Sequence, residues 1–177
     1  MKMISIEKFE IFGREIWIAV VFEEKIDGIT FSLDGCEYLM ERINSLKALL
    51  ERRNVSVNLA EEKSDYPKIV YNVLVGDIEN QDALRFLSFR GVTPFEKKVY
   101  EVLTKKVKRG SVITYGELAK MLSTSPRAVG NAMKRNPYPI IVPCHRVVLK
   151  SGLGDYTPKR EYKQFLLEIE GVKGWTS

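Results

Sequence analysis

Thr114-Tyr115-Gly116-Glu117-Leu118-Ala119-Lys120-Met121-Leu122-Ser123-Thr124-Ser125-Pro126-Arg127-Ala128-Val129-Gly130-Asn131-Ala132-Met133-Lys134-Arg135 is the stretch on which the reading of this chain of 177 residues turns. Threonine followed three residues later by glutamate is a capping box, in which each side chain satisfies a backbone N–H of the other residue. It opens a helix through Leu118, Ala119 and Leu122. Ser123-Thr124-Ser125 makes a turn. Ser125-Pro126 then starts a second helix, Arg127 to Arg135, because proline fits the first helical position. Helix, short turn, helix is the pattern of a helix-turn-helix. The second helix carries the small residues Ala128, Gly130 and Ala132, and its glycine costs about 1 kcal/mol relative to alanine. Small side chains allow close approach to another surface, either the protein core or a nucleic-acid groove. Arg127 stands at the N-terminal end, from which recognition helices present side chains to DNA. Taken alone, Arg127 also fits an ordinary solvated arginine.

Downstream, Pro137-Tyr138-Pro139 is a stiff connector. Ile140 to Val142 is expected to be a buried extended segment, and it leads to Cys144-His145. His145 is the only histidine of the chain and Cys144 one of two cysteines. A thiolate is a strong nucleophile, and imidazole is the base suited to forming it near neutral pH. Successive side chains of a flat strand point to opposite faces. For His145 to activate Cys144, the chain must turn there or a water must link the two. The structural alternative is a buried cysteine beside a partly exposed histidine. Thr157-Pro158 is expected to open a last helix carrying Tyr162, Phe165, Leu166 and Ile169, closed by Gly171. Glu168 and Glu170 fall in its final turn, where the macrodipole disfavours acids. One of them is a candidate to orient His145, with a surface glutamate as the alternative.

Upstream, Thr93-Pro94-Phe95-Glu96 is another capping box with proline at the first position. It opens a helix expected to bury Phe95, Val99, Val102 and Leu103 and to stop at Gly110. The first half reads differently. Ile4 to Ile11, Glu15 to Phe22 and Ile29 to Leu33 read as strands, with Asp27-Gly28 as a hairpin turn. Cys36 to Arg53 reads as a helix, with Leu39, Ile43, Leu46 and Leu50 at helical spacing. Val55 to Leu59 fits a further strand, and Tyr66 to Val75 a short helix opened by Pro67. The fold class is therefore α/β (α+β): an N-terminal sheet-plus-helix domain, residues 1–90, and a mostly helical C-terminal domain, residues 91–177. Nothing in the first half looks catalytic, and Cys36 reads as an ordinary free thiol.

Charge divides at the same place. Residues 1–90 hold 12 Lys and Arg against 16 Asp and Glu, whereas residues 91–177 hold 16 against 7. A basic half suggests a polyanionic partner, although solvated basic surfaces carry such charge too. Residues 1–10 lack the apolar core of a signal peptide. The longest apolar run, Ile16 to Phe22, is too short to span a bilayer, so no membrane association is expected. Two cysteines make no disulfide framework, which points to a reducing, cytoplasmic compartment and disfavours a Cys36–Cys144 bridge. Two cysteines and one histidine cannot complete a zinc shell without carboxylates, so no metal is expected.

Pro143-Cys144-His145-Arg146-Val147, preceded by the helix-turn-helix and by Asn136-Pro137, resembles the signature of the O6-alkylguanine-DNA alkyltransferases. The match runs from Thr93 to about Gly171. The resemblance implies an N-terminal domain of ribonuclease-H-like topology and a C-terminal winged-helix-like domain. It implies double-stranded DNA containing O6-alkylguanine as partner, a monomer, and no cofactor. Cys144 matches the alkyl acceptor, His145 a base acting through water, and Glu170 the carboxylate that orients it. Tyr115 matches a tyrosine that assists flipping and protonates the leaving guanine. Arg127 matches the finger that replaces the flipped base, on a helix whose Ala128, Gly130 and Lys134 would also meet DNA. Asn136 matches a hinge, Val147 and Cys144 carbonyls that read the guanine amine, and Tyr156 and Thr157 a loop over the base. The expected activity is repair of O6-methylguanine, with O4-methylthymine as a second substrate, by irreversible methyl transfer to Cys144. The run Thr157-Pro158-Lys159 is bulkier than the serine and glycine of many members. That leads us to expect good acceptance of methyl and poor acceptance of benzyl. A damage sensor and a cysteine hydrolase are the rival readings.

Overall fold

The computed structural model describes residues 2–172; Met1 and residues 173–177, the last stretch of the expected second domain, lie outside the described residues. Three strands, β1 (Lys2–Ile11), β2 (Arg14–Phe22) and β3 (Ile26–Ser32), form an antiparallel meander. A short β4 (Leu59–Glu61) runs parallel to β1, giving the order β3-β2-β1-β4. In β2 the period of two assigns each buried residue to one face of the sheet. Ala19 and Val21 pack with Leu39, Ile43, Leu46 and Leu50 of α1 (Cys36–Arg52), while Ile16, Ile18 and Val20 join a second, larger cluster. Both faces of β2 are thus covered.

Two expectations for this half change. The chain reverses at Glu23–Lys25, where the Glu23 N–H donates to the Lys25 carbonyl at 3.1 Å, and Asp27-Gly28 lies inside β3. Asp27 is buried against Lys2 at 2.9 Å and accepts from Ser88 Oγ at 2.6 Å. A Cβ on Gly28 would stand 2.9 Å from Leu46 Cδ1, so the glycine serves close helix packing and not a turn. The strand expected over Val55–Leu59 begins only at Leu59; Val55 and Val57 are buried instead beneath α1. The helix α2 (Tyr66–Val75) forms with proline in its first turn and covers the other face of the sheet.

After the short α3 (Asn80–Ala83), helix α4 (Pro94–Lys106) starts at the expected capping box. Its buried face is Glu96, Val99, Tyr100 and Leu103, whereas Phe95 is exposed. The cause is Glu96, whose carboxylate is drawn inward by Arg53 at 2.7 Å, which turns position 95 outward. The helix ends at Lys106, before Gly110, because Val107 is already extended. Then follow β5 (Ile113–Thr114), α5 (Tyr115–Met121) and α6 (Pro126–Lys134), both helices with the expected side-chain caps. A two-residue β6 (Val147–Val148) pairs parallel with β5, and α7 (Arg160–Ile169) closes the described chain. This last helix starts later than Thr157-Pro158 because Lys159 is extended.

The larger apolar cluster crosses residue 90 without a break: Ile29 and Phe31 share it with Tyr138, Ile140, Cys144, Tyr162 and Leu166. Hydrogen bonds cross with it, from Ile29 N–H to the Pro137 carbonyl at 2.8 Å and from the Leu33 and Phe89 N–H groups to the Tyr162 and Tyr138 hydroxyls. The sheet therefore forms the platform on which the loop carrying Cys144 rests. Among the described residues no helix is long and apolar enough to cross a membrane.

Candidate active site

The loop between α6 and β6 is fixed by side chains that bond to its backbone. Asn136 accepts from the Tyr138 N–H at 2.9 Å and donates to the Val142 carbonyl at 3.2 Å, holding the two ends of a tight bend. Ile140 has φ of 76°, a left-handed conformation that costs a β-branched residue about 1–3 kcal/mol. Asn80, from α3 in the first half, holds it there by donating to the Ile140 and Ile141 carbonyls at 2.8 and 3.0 Å. Ile140–Val142 is buried as expected but bent, not extended, because these two asparagines capture its carbonyls.

The bend continues through Cys144-His145. The Cys144 N–H donates to the Val142 carbonyl at 2.7 Å, and Cys144–Arg146 forms one tight helical turn. The chain therefore turns at the Cys144-His145 pair, one of the two arrangements that the sequence left open. Both side chains are buried, so the alternative of a partly exposed histidine does not hold. His145 Nε2 lies 3.0 Å from Glu170 Oε2 without meeting hydrogen-bond geometry, and Nδ1 has no partner among the described residues. Of the two glutamates at the end of α7, Glu170 is the inward one; Glu168 is exposed and accepts from Gln164.

Glu170 also receives the buried Arg146, through Nε at 2.9 Å and Nη2 at 2.7 Å. Arg146 donates further to the Val107 carbonyl and to Asn80 Oδ1. Burial alone would raise the Glu170 carboxyl, but the neighbouring His145 and the charge and hydrogen bonds of Arg146 outweigh it and hold the group well below the usual carboxylate range. Thus the acid at an unfavourable helix end is compensated by a buried bidentate partner. Arg146 and Asn80 were not anticipated as site residues. Arg146 sits inside the quoted signature, but its partners lie 24, 39 and 66 residues away.

Burial also pushes the Cys144 thiol up, against hydrogen bonds from Asn136 and Tyr156 and the charge of Lys163. The resting group is therefore a protected thiol that needs a base. Lys163, another residue not anticipated, is fully buried with Nζ 5.8 Å from the Tyr115 ring, and burial lowers it to about 8. Tyr115 is pushed up to about 12 by burial, by Cys144 and by Asp155, so its hydroxyl keeps a proton to give.

Cys144 and Tyr115 open onto a cleft of about 600 Å³ that Asn136, Tyr156, Thr157, Arg127, Gly130 and Lys134 also line. Gly130 faces open space, while Ala132 is packed in the core, so the small residues of α6 serve both surfaces. Arg127 is exposed in the first turn of α6, Ala128 is half-buried nearby, and Val147 is buried in β6. Lys159 does not narrow the cleft: its ammonium is tied to Asp34 at 3.1 Å and lies over the Tyr38 ring. Thr157 and Pro158 remain in the wall. Both cysteines are free thiols, and the described residues hold no cluster of three or more metal-binding side chains.

Comparison with known proteins covers both halves. Residues 3–90 match the family described as methylated DNA-protein cysteine methyltransferase, N-terminal, and residues 94–172 match 6-O-methylguanine DNA methyltransferase, DNA binding domain. A methylated-DNA--protein-cysteine methyltransferase of Thermococcus barophilus is 99% identical over 99% of this chain and 100% of its own length. One from Thermococcus sibiricus is 66% identical over the same shares. The crystal structure of the O6-methylguanine-DNA methyltransferase of Pyrococcus kodakaraensis superposes with a TM-score of 0.94 at 60% identity, over 96% of this chain and 100% of that one. The Mycobacterium tuberculosis OGT structure in complex with DNA shares the fold, with a TM-score of 0.68 at 24% identity, over 95% and 92% of the two chains.

Proposed function

Because the chain belongs to the methylated-DNA--protein-cysteine methyltransferase family, matched across both of its halves, we propose that it repairs DNA by direct reversal, moving the methyl group of O6-methylguanine onto its own Cys144. O4-methylthymine is the second expected substrate. The protein acts as a monomer in the cytoplasm on double-stranded DNA. The observation that carries the mechanism is the buried row of Cys144, His145, Glu170 and Arg146 at the end of a cleft lined by Tyr115 and Arg127.

The O6 atom takes part in base pairing, so its alkyl carbon lies inside the duplex and a buried thiol meets it only after the nucleotide is flipped. Unstacking costs a few kcal/mol, which an inserted side chain and phosphate contacts offset. Arg127 fills the gap, and Gly130 lets α6 approach the groove closely. His145, oriented by Glu170, takes the thiol proton through a water. The Cys144 sulfur then bonds to the methyl carbon as the carbon–O6 bond breaks. The departing guanine takes a proton from Tyr115. Cys144 and Val147 carbonyls read the guanine amine, and Tyr156 and Thr157 cover the base. The thioether formed has no hydrolytic route back, so each molecule acts once.

Stoichiometry tests this reading. Duplex carrying one O6-methylguanine, in tenfold excess over protein, should lose lesions in an amount equal to the protein and no more. Clearance of many lesions per chain points to the hydrolase, and binding without clearance to the sensor.

A further inference from the structure

The cleft that leads to Cys144 has a second wall, and it comes from the half of the protein in which the sequence showed no chemistry. Across from α6, the side chains of Arg42, Ser45, Leu46, Leu49 and Arg52 on α1 line the same cavity. On a helix these positions share one stripe, with Arg42 and Arg52 at its two ends. The cavity wall as a whole carries four cations, Arg42, Arg52, Arg127 and Lys134, against one acid, Asp155. Asp155 is itself engaged, with Arg160 at 3.4 Å.

The two arginines differ in state from their neighbour Arg53. Arg53, one residue beyond α1, is spent on Glu96, the Gly91 carbonyl and the Arg135 carbonyl. Arg42 makes no hydrogen bond or ion pair within the described residues, and its Nε is buried without a partner. Arg52, Arg127 and Lys134 are likewise unpaired among the described residues. A guanidinium held half-buried without an acceptor costs stability unless a ligand supplies one. An arginine fork suits the oxygens of a phosphate. Residues of α1 and of α6 line the one cavity that holds Cys144, so the phosphates flanking a nucleotide flipped toward the thiol would meet both helices.

We propose that α1 is a phosphate-binding wall of the DNA cleft, in which Arg42 holds a backbone phosphate beside the flipped nucleotide and Arg52 one further along the same strand. The inference rests on the repair reading above and extends DNA contact from the helix-turn-helix to the N-terminal domain. It also accounts for the way charge is divided on α1, a helix of three bases and three acids whose two arginines Arg42 and Arg52 line the cavity. The acids Glu37, Glu41 and Glu51 do not line the cavity.

Arg42→Gln and Arg52→Gln, each compared with the wild-type protein, test it. Each should weaken binding to methylated duplex by about 5- to 10-fold at ~0.1 M salt, and lower the slope of log K against log salt by about 0.9, the value of one released counterion. The single-turnover transfer rate at saturating protein should not change, because phosphates hold the strand and take no part in bond making. Unchanged affinity and salt slope in both variants, with wild-type transfer intact, would overturn the inference and leave the repair reading standing. A fall in the saturating rate with unchanged affinity would also overturn it, by assigning Arg42 to the chemistry. Failure of the wild-type protein to transfer methyl removes both. Thermal melting within a few degrees of wild type for each variant keeps a folding defect from passing as lost contact.

Discussion

Replacing Glu170 by glutamine should destabilise the protein by about 3–5 kcal/mol and slow methyl transfer by about two orders of magnitude. The stability loss follows from Arg146, a fully buried cation with Glu170 as its only anionic partner among the described residues. Glutamine keeps the shape but leaves that charge uncompensated in a medium of low dielectric. The rate loss follows from His145, whose Nε2 faces the same carboxylate. A pH signature accompanies it. The folded Glu170 carboxyl lies below its unfolded value near 4.5, so its contribution is fully present above that value and disappears as pH falls. Wild-type stability should therefore drop steeply with acid below about pH 4.5, and the Glu170→Gln variant should show a shallower acid limb. Urea unfolding at several pH values reads both effects. A loss under 1 kcal/mol with an unchanged acid limb would contradict the pairing described for Glu170.

Tyr115→Phe carries the second large expectation. It removes only the hydroxyl, and the ring still packs beside Lys163 and lines the cleft. If that hydroxyl protonates the departing guanine, the saturating transfer rate should fall by about 10²-fold, the lower end for a lost general acid, while affinity for methylated duplex changes less than threefold. The hydroxyl is held up to about 12, so it stays protonated through the whole accessible range. Tyr115 should then impose no alkaline limb on the wild-type rate below about pH 11. Rapid-quench measurement with protein in excess separates rate from affinity. Equal rates for Tyr115→Phe and wild type would assign the tyrosine to positioning alone.

Local signals were legible in the sequence and distant ones were not. The capping boxes at Thr93 and Thr114 and the Ser125 cap need only residues three positions apart, and each forms as read. The same holds for the apolar spacing of α1. Errors arose where a distant partner overrode a local rule. Asp27-Gly28 has turn composition, yet Lys2 and Ser88 capture Asp27 within β3. Phe95 has the right spacing to be buried, yet Arg53 draws Glu96 inward instead. The dipeptide Cys144-His145 announced chemistry, but the turn that aims both side chains inward depends on Asn80, which lies 60 residues from Ile140. Lys163 went unread, because nothing nearby in sequence states that it is buried.

One covalent bond, between the Cys144 sulfur and the transferred methyl, decides the repair reading. Mixing the protein with an excess of duplex containing O6-methylguanine, followed by intact mass measurement and peptide mapping, should show one added methyl per chain, located on Cys144, with Cys36 untouched. A Cys144→Ala variant should bind the same duplex and gain nothing. Methyl on Cys36, or unmodified protein after the lesion has disappeared, would contradict the assignment of Cys144 as the acceptor.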